Sequence, residues 1–229
     1  MAQRKKSAKK QEEILLDITE VTGQAEDFFE RYQKQILAVV AVLALGVGGW
    51  AGYSNLYVKP KQKEALEQMT QAEWQFQRDS FNLALANPGG GYPGFADIVK
   101  NYGGTDAANA ALYYAGICCL NMGQFDAAIS YLDDFSAAGN TMPVMKNGAL
   151  GDAWSEKGEL DKALSFYRKA ADAAEGNEIL QPYYLKKVAL LSTQQGKQDD
   201  AREAWETIRD EYPTAPEVKD AEKYLAEMR

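Results

Sequence analysis

From Ile36 to Val58 the chain runs without a charge, bounded by Lys34 and Lys59. No other feature limits the available folds as strongly. As a helix at ~1.5 Å per residue this run reaches about 35 Å, enough to cross a hydrocarbon core of ~30 Å with modest tilt. A helix of this length in a soluble core would keep a polar face. Here none starts before Ser54 and Asn55. A cleaved signal peptide would carry an apolar core about half as long and close to the N-terminus, whereas this one follows a long polar segment. The run predicts a retained transmembrane helix over 36–58, between a polar tail, 1–35, and a domain, 59–229.

Charge suggests which side is which. Arg4, Lys5, Lys6, Lys9, Lys10, Arg31 and Lys34 precede the span, and only Lys59, Lys61 and Lys63 follow it closely. Excess positive charge stays in the cytoplasm. The expectation is a single-pass bacterial inner-membrane protein with a cytoplasmic N-terminus and a periplasmic C-terminal domain. Within the tail, Ile14, Leu15, Ile18 and Val21 fall near one helical face until Gly23 interrupts them. Phe28, Phe29 and Tyr32 are placed like an interfacial aromatic belt. The basic start reads either as a solvated tether to anionic membrane lipid or as a docking motif. Inside the span, Ala44, Gly48 and Gly52 recur every fourth residue. Such a small-residue face lets another membrane helix approach closely.

Composition removes several functions. The chain has no histidine, which excludes His-based metal sites, the usual hydrolase triads and imidazole acid–base chemistry. Seven of the 25 basic and seven of the 33 acidic residues precede Lys59, so the domain carries 18 basic and 26 acidic residues. An acidic domain without a basic stripe argues against nucleic acid as a partner. Cys118 and Cys119 are adjacent; vicinal side chains diverge on a helix, so they read as small buried apolar residues.

Beyond the span, Lys61 to about Ala86 has a helical pattern, with Pro60 in its first turn or at a kink and Asn87-Pro88-Gly89-Gly90-Gly91 as its stop. Alternation of period two is nearly absent, so no sheet is expected. Internal repeats are present instead. Gly116-x6-Gly123-x4-Ala128, Gly151-x6-Gly158-x4-Ala163 and Ala189-x6-Gly196-x4-Ala201 share one register. Leu132, Tyr167 and Trp205 follow four residues after each alanine, and Pro213 closes the third unit. This resembles the tetratricopeptide repeat, a helix–turn–helix unit with small residues where its two helices cross. A corner glycine accepts a backbone conformation that a side chain would strain, and hairpins that cannot bury their apolar faces alone stack into a solenoid. The predicted fold is therefore all-α. One transmembrane helix precedes a degenerate hairpin at 61–102, repeats at about 109–140, 144–175 and 182–213, and a closing helix at 215–228. On that closing helix Lys219, Glu222 and Glu227 mark the wet side.

In repeats of this kind the first helix of each pair lines a concave groove. Carried across, that register places Tyr113, Ile117, Leu120, Met145, Asp152, Tyr183, Lys186 and Leu190 inward, as a peptide or partner groove or, for several of them, as helix packing. Aromatic and methionine side chains suit adaptable contact with polypeptide. The Phe81–Phe95 region reads as a mobile lip or an ordinary loop. Asp133-Asp134 and Asp199-Asp200 lie beside repeat turns, where solvation or capping explains them. Gly89-Gly90-Gly91 lacks the Lys-Ser/Thr of a phosphate loop. No catalytic site and no cofactor is expected.

The order of parts narrows the likeness further. A tail ending in Phe28-Phe29, a glycine-rich span with Gly49-Trp50 and Tyr53, and a small repeat domain together resemble the YfgM-like family of ancillary subunits of the bacterial Sec translocon. The resemblance implies a non-catalytic role beside SecYEG, alongside a PpiD-like membrane chaperone, with the groove touching unfolded or translocating polypeptide. The alternative is an envelope scaffold coordinating cell-wall or division machinery.

Overall fold

The computed structural model describes residues 31–228. The basic start, the Ile14–Val21 stretch and Phe28-Phe29 lie outside the described residues. Two units divide the chain, Met1–Tyr57 and Val58–Arg229.

In the first unit residues 31–53 are helical (α1) and lead into a π turn, Ser54–Val58. The helical stretch Arg31–Phe76 is long and apolar enough to cross a membrane. Leu37, Val42, Leu45 and Trp50 are all more than half exposed, so nothing among the described residues covers this apolar surface. The π turn has a local cause. Pro60 stands in the first turn of the next helix, α2 (Lys59–Phe76). It has no N–H for the carbonyl four residues back, and its ring crowds that carbonyl. A wider turn just before it relieves both problems.

The second unit is an α-solenoid. After α2 come α3 (Phe81–Ala86), α4 (Phe95–Asn101), α5 (Asp106–Asn121) and α6 (Phe125–Asp134), then α7 (Met142–Glu156), α8 (Leu160–Ala173), α9 (Leu180–Gln194), α10 (Gln198–Glu211) and α11 (Val218–Glu227). Three hairpins, α5–α6, α7–α8 and α9–α10, turn at Gly123, Gly158 and Gly196. All three corners have left-handed backbone, with φ of +72°, +78° and +73°, which a side chain would strain.

The repeat register has a steric meaning. A Cβ placed on Gly116 would lie 2.7 Å from Leu132 Cγ, and one on Gly151 would lie 2.5 Å from Tyr167 Cδ1. Each glycine on the first helix is therefore the gap into which the large residue of the second helix sits. Ala128, Ala163 and Ala201 are fully buried at the same crossings. In the third hairpin Trp205, also fully buried, stacks on Tyr224 of α11 with ring centroids 5.0 Å apart. Lys219, Glu222 and Glu227 of that closing helix are exposed.

Two expectations need correction at the N-terminal end of this unit. The helix expected over Lys61–Ala86 is broken into α2 and α3, because Asp79 adopts φ +56° and Ser80 N–H turns back to Gln75 O. The region to Asn101 thus holds three helices where a hairpin has two. The Phe81–Phe95 region is a loop only over 87–94, with helix on either side. Phe81 opens α3, and Phe95 is fully buried, stacked on Tyr114 at 5.0 Å with Phe76 edge-on to both. Gly94 has to be glycine here, since a Cβ would fall 2.3 Å from the carbonyl oxygen of Leu85.

Candidate partner-binding groove

Each first helix of a hairpin contributes a row of side chains to a groove of about 430 Å³. From α5 come Tyr113, Ile117 and Leu120, and from α7 Met145, Ala149 and Asp152. Leu180, Tyr183 and Tyr184 of α9 form the next wall, and the segments before α9 and α11 add Glu178, Ile179, Pro216 and Glu217. Six of the eight residues expected from the register thus lie together. Lys186 and Leu190 do not line it. Lys186 donates to Asp220 of α11 at 2.5 Å, a bond that holds the ammonium above its ordinary pKa. The closing helix has claimed the position that faces the groove in earlier repeats.

The groove is apolar with an organised polar floor. Asp152 Oδ1 accepts from Tyr167 Oη at 2.7 Å and from Lys187 Nζ at 2.5 Å. The Lys187 ammonium also lies 5.0 Å from the Tyr167 ring centroid and 5.3 Å from that of Tyr183, a favourable cation–π placement. Burial, followed by the Asp152 charge, pushes the hydroxyls of Tyr167 and Tyr184 up, so both remain protonated donors. Tyr113 is raised chiefly by burial as well. Ile179 stands 77% exposed and Tyr183 44% exposed at the mouth. Large apolar groups held in solvent beside a concavity are what a partner-binding surface presents.

Several contributors escape the repeat register. Lys187 is one residue round the helix from Lys186, about 100° away, and only the packing of α7 against α9 selects it. Ile179, Pro216 and Glu217 come from connecting segments, which repeat spacing does not describe. A second omission had a readable signal. Asp126, Asp161 and Asp199 each follow a corner glycine by three residues. Lys157 pairs with Asp126, and Lys197 with Asp161 at 2.8 Å, so successive corners are tied together. Asp200 beside the last of them pairs with Arg168 at 2.6 Å. Asp133 and Asp134 end α6 exposed to solvent, and the Asp133 carbonyl accepts from Lys146.

Among the described residues no group of three or more His, Cys, Asp or Glu is placed to hold a metal ion. Cys118 and Cys119 are free and buried. Burial, followed by the charge of its neighbour, pushes the Cys118 thiol up to about 12, the opposite of a reactive cysteine. On α1 a Cβ at Gly48 or Gly52 would meet nothing within 4 Å, and Ala44 is exposed beside them.

A tetratricopeptide repeat model matches residues 187–215. These residues comprise the second half of α9, the Gly196 corner, α10 and the Tyr212-Pro213 exit. The chain contains a tetratricopeptide repeat. Its helical unit is accordingly a protein-interaction module. No curated protein matches the chain.

Proposed function

We propose that this protein is a membrane-tethered accessory subunit of the bacterial Sec translocon, non-catalytic, whose solenoid groove engages emerging polypeptide or a PpiD-like chaperone on the periplasmic side. The observation that carries the reading is the apolar groove formed by Tyr113, Ile117, Leu120, Met145 and Tyr183 in a chain that also holds a helix apolar enough to cross a bilayer. Tethering raises local concentration at an exit site, so weak contacts in a shallow groove suffice. The uncovered Ala44, Gly48 and Gly52 face suits lateral docking of the span against a translocon helix. Basic residues gathered before the span favour a cytoplasmic N-terminus. The resemblance to the YfgM-like family, in Phe28-Phe29, Gly49-Trp50 and Tyr53, points the same way.

Photocrosslinkers placed at Gly48, Gly52, Tyr113 and Tyr183 in intact bacterial membranes test this. Adducts with SecYEG subunits from the span, and with nascent chains or a chaperone from the groove, are the expected result. Recovery of cell-wall or division proteins with no Sec component would transfer the reading to an envelope scaffold.

A further inference from the structure

We infer that the groove selects polypeptide segments in which large apolar side chains are flanked by lysine or arginine, and disfavours segments flanked by acids. The inference rests on the groove being the binding surface and adds the chemistry of what enters it. Three carboxylates line the cavity, Asp152, Glu178 and Glu217, and among the described residues only Asp152 has an ion-pair partner, Lys187. Asp152 takes its donors Tyr167 and Lys187 on Oδ1, and its side chain is 38% exposed, so Oδ2 is open to a further donor. Glu178 is exposed and makes no ion pair among the described residues. Glu217 makes none either, although its charge helps to hold up the Lys186 ammonium. Lys186 and Lys187, on the same helix as Tyr183, are each already engaged, on Asp220 and on Asp152.

The geometry separates two tasks. Ile117, Leu120, Met145 and the exposed Ile179 offer apolar contact, which does not discriminate among hydrophobic sequences. The carboxylates sit at the floor and at the rim formed by the connecting segments. A guanidinium following an apolar anchor reaches Oδ2 of Asp152 from within, or Glu178 and Glu217 from the mouth. Charge complementarity at a wet rim contributes mainly discrimination and on-rate, with a modest share of affinity.

The test uses the full chain in phosphatidylcholine nanodiscs, whose lipid has no net charge to attract the probes. Three short peptides sharing a Phe-x-x-Leu core, with two flanking positions occupied by Arg, Gln or Glu, are titrated by calorimetry at low and high salt. The Arg peptide is expected to bind about five-fold tighter than the Gln peptide at low salt, and the Glu peptide more weakly than either. The advantage should shrink at high salt. Combined Glu178→Gln and Glu217→Gln substitutions should lower the ratio of Arg-peptide to Gln-peptide affinity. Equal affinity for all three peptides, or tightest binding of the Glu peptide, overturns the charge selection while leaving a polypeptide groove intact. Absence of binding by all three peptides to the folded protein defeats the groove reading itself. Self-association that Tyr183→Asp abolishes would assign the groove to a second copy and overturn the inference.

Discussion

Gly151 in α7 and Gly48 in α1 are both helical glycines, and they have opposite surroundings. At Gly151 an added Cβ would lie 2.5 Å from the Tyr167 ring; at Gly48 it would meet nothing within 4 Å. Glycine in a helix interior costs about 1 kcal/mol relative to alanine, so each position needs a return. In the solenoid unit the return is internal: the missing side chain is the space that Tyr167 fills. In α1 the described residues supply no such partner. The same residue type thus marks a contact that is complete in one place and, among the described residues, an uncovered face in the other, of the kind another membrane helix can fill.

The largest effect that sharpens this comparison lies on the packed side. Trp205→Ala empties the fully buried site that stacks on Tyr224 and should cost about 3–5 kcal/mol. Urea denaturation followed by circular dichroism reads it. Trp205→Phe should cost much less, because the indole Nε1 is buried without a partner and removing an orphan donor returns some stability. Gly151→Ala comes next, at about 1–3 kcal/mol, as an overpacking change against a ring that cannot retreat. A neutral Gly151→Ala would break the claim that the small residues are gaps.

Those gaps are also the part of the fold most legible in the sequence. Gly116 with Leu132, and Gly151 with Tyr167, are short-range steric pairs inside one hairpin, so spacing alone exposes them. The corner glycines are legible for the same reason. The break at Asp79 is not, since only a few per cent of non-glycine residues take positive φ and neither Gly nor Pro stands between Gln77 and Ser80. Within the groove, Tyr113, Ile117 and Met145 follow from register, whereas Lys187, Ile179 and Glu217 depend on how one repeat is laid on the next. Lys186 was misplaced because a closing helix, which has no counterpart in an internal repeat, supplies Asp220.

The packed side should also respond to alkali. The Cys118 thiol, raised from 9.0 to about 12 by burial and then by Cys119, keeps its proton in the folded state after the unfolded chain has lost it. The unfolded state then binds fewer protons, so stability falls as pH rises. The stabilisation is fully present below pH 9.0 and is lost as pH climbs from there toward the folded value of about 12. Tyr167 and Tyr184, also raised, add to the fall above their ordinary value of 10.0. Cys118→Ala should flatten the early part of the decline in urea midpoints measured between pH 8 and 11. An unchanged slope would show that this thiol is less enclosed than the packing of α5 implies.

The smallest effect on stability falls on the other side of the comparison and carries the most functional information. Gly48→Leu and Gly52→Leu add side chains where nothing among the described residues opposes them. Unfolding of the solenoid unit should therefore change by no more than about 0.5 kcal/mol. Leucine is also the better helix former, so α1 itself should not suffer. What should be lost is close lateral approach by another membrane helix, because a leucine holds the two backbones apart where glycine lets them touch. Crosslinking yield from a probe at Ala44 would fall, while yield from a probe at Tyr113 in the groove would be retained only if groove contacts do not depend on docking. Loss at both positions would mean that the span delivers the groove to its partner. Loss at Ala44 alone would mean that the two units bind independently. Retention at both would remove the glycine face as a docking surface, and Gly48 would then be tolerated in the helix without the return that Gly151 receives from Tyr167.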